Sequence, residues 1–163
     1  MAPPRTPLTR GALATLLVGA GLVTLIALPP FVAAGPRELL MGAFSAVCHQ
    51  LPARSPHLDG VQLAVCHRCL GIYLGLPLAA LIYLAFRQAP AFEERRPLLL
   101  GLSAMPMVLD WGGEVLGLFR NTPGSRLATG LVFGLVAGAF LVFAFGQAGS
   151  GGSGGHDRPT DLS

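Results

Sequence analysis

The sequence predicts an all-α integral membrane protein with four transmembrane helices, a short interfacial helix and a Cys/His-rich loop. Composition is the first observation: 12% of the 163 residues are charged and 52% are hydrophobic, against about 25% charged in a soluble domain. The second is a set of four apolar runs, each reaching the roughly 20 residues needed to cross a hydrocarbon layer. The third is a single long connection, Gly35 to Gly60, with every Cys of the chain inside it or just beyond it. Leu, Ala and Val supply most of the apolar mass, as in lipid-facing helices, and aromatics make up only 7%. No internal repeat is visible, so residues 1–146 read as one membrane domain and 147–163 as a flexible Gly/Ser-rich tail. All eleven basic residues are Arg, and a net charge of +3 is too small and dispersed for a nucleic-acid partner. The expected partner is the lipid bilayer.

The first span is expected over about residues 11–34, where Pro29 and Pro30 kink or stop it. A cleaved secretory signal is the rival reading, with Arg5 and Arg10 before the apolar run and Val32-Ala33-Ala34 as a cleavage site. The apolar run exceeds the usual 7 to 15 residues of such signals, roughly, which favours a retained helix. Residues 36–47 then place Leu39, Leu40, Ala43, Phe44 and Val47 on one face at helical spacing. Pro36 suits the first turn of that interfacial helix, where its missing donor costs nothing. The stretch from Cys48 to Gly60 is expected as ordered loop. Further spans are expected over about 61–86, 97–119 and 127–145, separated by the charged turn from Arg87 to Pro97 and the NTPGS loop from Asn121 to Ser125.

Four spans place both termini on one side together with the charged turn. Arg5, Arg10, Arg87, Arg95, Arg96 and Arg158 fall there, against Arg37, Arg54, Arg68, Arg120 and Arg126 opposite. That small excess points to cytoplasmic termini in the cell membrane under the positive-inside rule.

Cys48, Cys66 and Cys69 fall within 22 residues, interleaved with three of the four His. A C-x-x-C pair where the chain enters a helix brings two sulfurs within reach of one metal or of each other. The candidate metal set is Cys48, His49, Cys66, His67 and Cys69, since a third Cys and one His would complete a tetrahedral shell for zinc or iron. A c-type haem is excluded, because its C-x-x-C-H motif requires His where this chain has Leu70. His57, beside Asp59 in a polar loop, reads as solvated rather than as a ligand.

Asp110 and Glu114 stand one helical turn apart inside the third apolar run, where charges need partners. Counting from Pro97 at 1.5 Å per residue puts them roughly 20 to 25 Å along the helix, near the NTPGS loop. Topology therefore brings Asp110, Glu114, Arg68, Cys66, Cys69 and Arg126 to one membrane face, with Arg68 and Asp110 as direct partners. Trp111 and Tyr73 also fit interfacial anchors. Gly71 and Gly75, then Gly130, Gly134 and Gly138, recur every four residues and allow close helix approach. They pair the second and fourth spans or form a homo-oligomer interface.

The run Cys48-His49-Gln50, then Arg54-Ser55, then C-x-R-C-x-G-I-Y-x-G from Cys66 to Gly75 resembles the signature of a family of small bacterial and archaeal membrane proteins. That family is known only as a conserved domain of unknown function. Pro106 to Asp110, Asn121, Arg126, Thr129 and Gly130 resemble its second block, so the likeness spans about Phe44 to Gly134. It implies functional weight for Cys48, His49, Gln50, Arg54, Ser55, Cys66, Arg68, Cys69, Gly71, Tyr73, Gly75, Asp110, Asn121 and Arg126. The chain departs from the pattern at Trp111 and Glu114, so Glu114 adds a charge that the family site does not require. No activity comes with the resemblance.

Three readings follow from these residues. A Cys/His transition-metal site at one membrane face is the first. A membrane thiol–disulfide protein using Cys66 and Cys69 is the second. The third is a small-ion or polar-solute transport or binding protein using Asp110 and Arg68.

Overall fold

The computed structural model describes residues 5–86 and 96–148. Its helices are α1 (Arg5–Ala27), α2 (Ala34–Ser45), α3 (His67–Phe86), α4 (Arg96–Val115) and α5 (Pro123–Ala148). A two-stranded antiparallel hairpin, β1 (His57–Leu58) and β2 (Val61–Gln62), sits between α2 and α3. The charged turn and the Gly/Ser-rich tail fall mostly outside the described residues.

Among the described residues, three helices are long and apolar enough to cross a membrane: Pro7–Ala27, His67–Phe86 and Pro123–Ala148. The stretch expected to open the second span is not helical. Val61 and Gln62 pair in the hairpin, and α3 starts at His67. Asp59 and Gly60 both take positive φ at the hairpin turn, which reverses the chain before it can enter a helix. Helix α1 ends at Ala27, short of the expected 34, and one 3₁₀ turn at Pro29–Phe31 leads towards α2. Helix α4 also stops earlier than expected, at Val115, where Gly117 takes a positive φ suited to a helix terminus.

Helices α1, α3 and α5 form the packed centre. A Cβ added to Gly71 would overlap the Leu127 carbonyl, one at Gly130 the Arg68 carbonyl, and one at Gly134 the Ile72 carbonyl. The glycine steps of α3 and α5 are thus used within the chain, letting the two backbones touch. Helix α1 adds to this pair through Gly11, which lies against Val142 and Gly146 of α5, and Gly19, which lies against Pro77 of α3. Leu8, Ala12, Ala80, Tyr83, Val142 and Phe143 close the core at the end shared by the start of α1 and the ends of α3 and α5.

At the opposite end a second cluster gathers Ile26, Phe44, Cys48, Ala64 and Val65. The Ala64 N–H donates to the Ile26 carbonyl at 3.1 Å, tying the loop to the end of α1. Arg37 of α2 donates to the carbonyls of Pro29 and Val32, both at 3.0 Å, and so ties α2 to the 3₁₀ turn that follows α1. Helix α2 turns Phe44 into the cluster while Leu39, and Val47 just beyond the helix, stay exposed. Helix α4 stands outside the trio and packs on α5. The starts of α3 and α5 and the last turns of α4 all meet at this end.

Candidate metal centre

The site lies where the loop after α2 meets the start of α3. Cys48 follows α2 and is buried, whereas Cys66 and Cys69 flank the first turn of α3. The three sulfurs lie within 4.8 Å of one another. The Cys66 N–H donates to the Cys48 Sγ at 3.2 Å, which fixes the loop sulfur against the helix start. Thiol hydrogen bonds with Cys48 and Cys69 hold the Cys66 thiol well below the usual thiol range, against the opposing effect of burial. This favours a thiolate, the form that ligates metals and attacks disulfides.

Neither histidine of the expected ligand set joins the sulfurs among the described residues. The His67 Nδ1 lies 2.8 Å from the Arg54 carbonyl and so braces the 3₁₀ turn at Pro52–Arg54. His49 is exposed and lines the adjoining pocket. Among the described residues, the group of gathered ligand atoms is Cys₃. His67 lies between Cys66 and Cys69 as the first residue of α3, with its Nδ1 beside the Arg54 carbonyl.

Gln50 and Ser55 shape the loop. Gln50 sits at positive φ, and its side-chain amide donates to the carbonyls of Met41 at 2.8 Å and Ala64 at 2.7 Å. Its own carbonyl accepts from the Gln62 amide at 2.7 Å, tying the turn after Cys48 to β2. The buried Ser55 hydroxyl donates to the Leu51 carbonyl at 2.9 Å. Tyr73 packs edge-on against Phe44, with ring centroids 6.1 Å apart, one turn below Cys69.

Charged partners surround the sulfurs. Arg68 Nη2 donates to Asp110 Oδ2 at 2.6 Å, joining α3 to α4 as the topology required. The Asn121 side-chain amide donates to the same carboxylate oxygen at 3.2 Å. Glu114 accepts from Arg126 at 3.0 Å and pairs with Arg54 at 3.5 Å. Sequence reasoning left Glu114 without a partner, although its place one turn beyond Asp110 on α4 was the available signal. With α5 starting at Pro123, Arg126 falls at the same level as Glu114.

A pocket of about 370 Å³ opens beside the sulfurs. All three Cys line it together with His49, Arg54, Arg68, Arg126 and Trp111. Trp111 is half exposed, in keeping with a wall residue.

The model of a family described as predicted membrane proteins, DUF2085, matches residues 48–140. The chain belongs to this family. The DUF2085 match begins at Cys48 and takes in the Cys₃ group and every ion pair described above. An uncharacterized protein of Methanocaldococcus jannaschii is 30% identical over 106 residues, covering 65% of this chain and 68% of the relative. Another, from Methanothermobacter thermautotrophicus, is 32% identical over 92 residues, covering 56% of this chain and 81% of the relative. No solved structure matches the chain.

Proposed function

We propose that this DUF2085 protein binds one transition metal, zinc first and iron second, through Cys48, Cys66 and Cys69 at one face of the cell membrane. The convergence of three sulfurs from two separate chain segments carries the reading. Soft thiolates suit both metals, and a three-residue protein set leaves a fourth position for water or a ligand, the arrangement of reactive rather than purely structural zinc sites. That fourth position takes the place that His49 or His67 was expected to fill.

The membrane arrangement belongs to the same proposal. Helix α4, with 20 residues, is about 30 Å long at 1.5 Å per residue and would serve as the fourth span beside the three most apolar helices. Asp110 and Glu114 fall in its last turns and face arginines, which lowers the cost of placing carboxylates there. Helix α2 lies along the surface, and cytoplasmic termini put the Cys₃ group at the outer face. Reporter fusions after residue 148 and in the turn between α3 and α4 should report the same side.

Elemental analysis of protein purified in detergent tests the centre. We expect about one metal per chain, lost in Cys48→Ser. Metal-free protein that keeps its fold would reject the centre. The same gathering of sulfurs suits one competitor, a dithiol formed by Cys66 and Cys69 that exchanges with a partner disulfide. Thiol labelling separates the two: labelling that rises with reductant and ignores chelator supports the dithiol, and the reverse supports the metal.

A further inference from the structure

The pocket beside the sulfurs has an uneven distribution of charge. Arg54, Arg68, Arg126 and His49 line it, and no carboxylate does. Asp110 and Glu114, which are not among the lining residues, hold the arginines in each case through Nη2. A guanidinium has five N–H donors, so one such bond fixes its position and leaves other donors for a ligand. Arg68 Nε is buried without any hydrogen-bond partner, a donor left over in the protein's own network. The Arg126 side chain is only 9% exposed, and burial at that level strengthens its attraction for an anion. The positive ends of α3 and α5, which start at His67 and Pro123, point the same way.

We propose that this pocket binds a phosphate group, held by Arg54, Arg68 and Arg126. The three arginines come from three separate elements around one cavity, which suits the oxygens of a tetrahedral anion better than a planar carboxylate. At about 370 Å³ the pocket is larger than phosphate alone, and Val47, Leu51 and Trp111 add apolar wall. The phosphate therefore belongs to a larger ligand, either a soluble phosphate ester or a lipid headgroup. This inference deepens the reading of the Cys₃ centre by naming what occupies the space beside it, but the arginines bind the anion with or without metal.

The test uses the full chain purified in detergent, with labelled inorganic phosphate in equilibrium dialysis and short-chain phosphatidic acid as a second probe. Saturable binding of either probe at millimolar concentration or below supports the site. Displacement of phosphate by the lipid shows that one site takes both, and lipid binding alone assigns the site to a headgroup. Arg54→Gln should weaken binding by about tenfold, the usual scale for a lost charged hydrogen bond. Arg54 is the most exposed of the three, so this change spares the fold. Arg120→Gln, at the same end but outside the pocket lining, should leave binding unchanged. Folded protein that binds neither probe overturns the proposal, as does an equal loss in Arg120→Gln and Arg54→Gln. Metal content is measured on the same samples. Phosphate binding by metal-free protein upholds this site and rejects the metal centre, whereas metal-loaded protein indifferent to both probes rejects this site alone.

Discussion

The two ends of the helix trio are built on different physics. At the end holding Leu8, Tyr83, Val142 and Phe143, the buried cluster is apolar, and a small apolar cavity of about 170 Å³ lies between α3 and α5. At the other end, Asp110 and Arg126 are buried and paired, three sulfurs converge, and a larger pocket carries arginines. The same helices run through both. Contact area therefore fixes how α1, α3 and α5 lie, while a few charged bonds fix where α4 stands and what faces the pocket. Dispersion spread over many contacts tolerates small losses, but a buried charge tolerates none, because its partner is left orphaned.

The largest expected effect comes from breaking the part the two ends share. Gly134→Leu drives a side chain into the Ile72 backbone, and the α3–α5 contact has no flexible neighbour to give way. We expect loss of the monodisperse peak in size-exclusion chromatography. Gly101→Leu, on α4 where a Cβ meets nothing within 4 Å, should preserve that peak. Equal behaviour of the two variants would mean that close backbone approach does not hold the trio.

Next in size is the Arg68–Asp110 pair. Removing one member of a buried ion pair costs about 3–5 kcal/mol, and replacing both with apolar residues costs much less. Folded yield after thermal challenge should fall steeply for Arg68→Met and for Asp110→Leu. The double variant should recover most of it. Strict additivity of the two losses would show that the pair contributes no coupling, and would shift the support of α4 to Glu114 and its arginines.

Much of this polar end was legible before any coordinates. Two charges in separate apolar runs, placed at the same depth by counting residues, had to find each other, so the Arg68–Asp110 bond follows from topology. The glycine steps likewise announced a close helix pair, and the structure uses them between α3 and α5. The loop was less readable. Val61 and Gln62 extend an apolar run and look helical by composition, but the turn at Asp59–Gly60 pairs them with β1. His67 shows the same limit: spacing places it beside two cysteines but does not encode that its Nδ1 lies 2.8 Å from the Arg54 carbonyl. Gln50 is a brace of that loop rather than a reactive group, a role set by carbonyls 9 and 14 residues away in sequence. Local pattern reports helices and their faces, while loop geometry depends on contacts that the pattern does not encode.

The smallest effect should come from Glu114→Gln, and its size relative to Asp110→Asn gives the finest reading of the polar end. Both changes remove one charge with little change of shape, so the difference reflects surroundings. Asp110 is 8% exposed and accepts from Arg68 and from Asn121, so its amide would present a donor to two donors in a dry environment. Glu114 is 23% exposed and shares its charge between Arg126 and an Arg54 that is itself 42% exposed. Solvent already screens the Arg54 contact, which then contributes little. The remaining loss is the Arg126 hydrogen bond, which the Gln carbonyl can still accept without its charge. We expect Glu114→Gln to cost about 1 kcal/mol and Asp110→Asn two to three times as much, roughly. Thermal unfolding of both variants in one detergent measures the order. If Glu114→Gln proves the more damaging, Arg126 rather than Arg68 is the charge whose neutralisation holds α4 to the bundle.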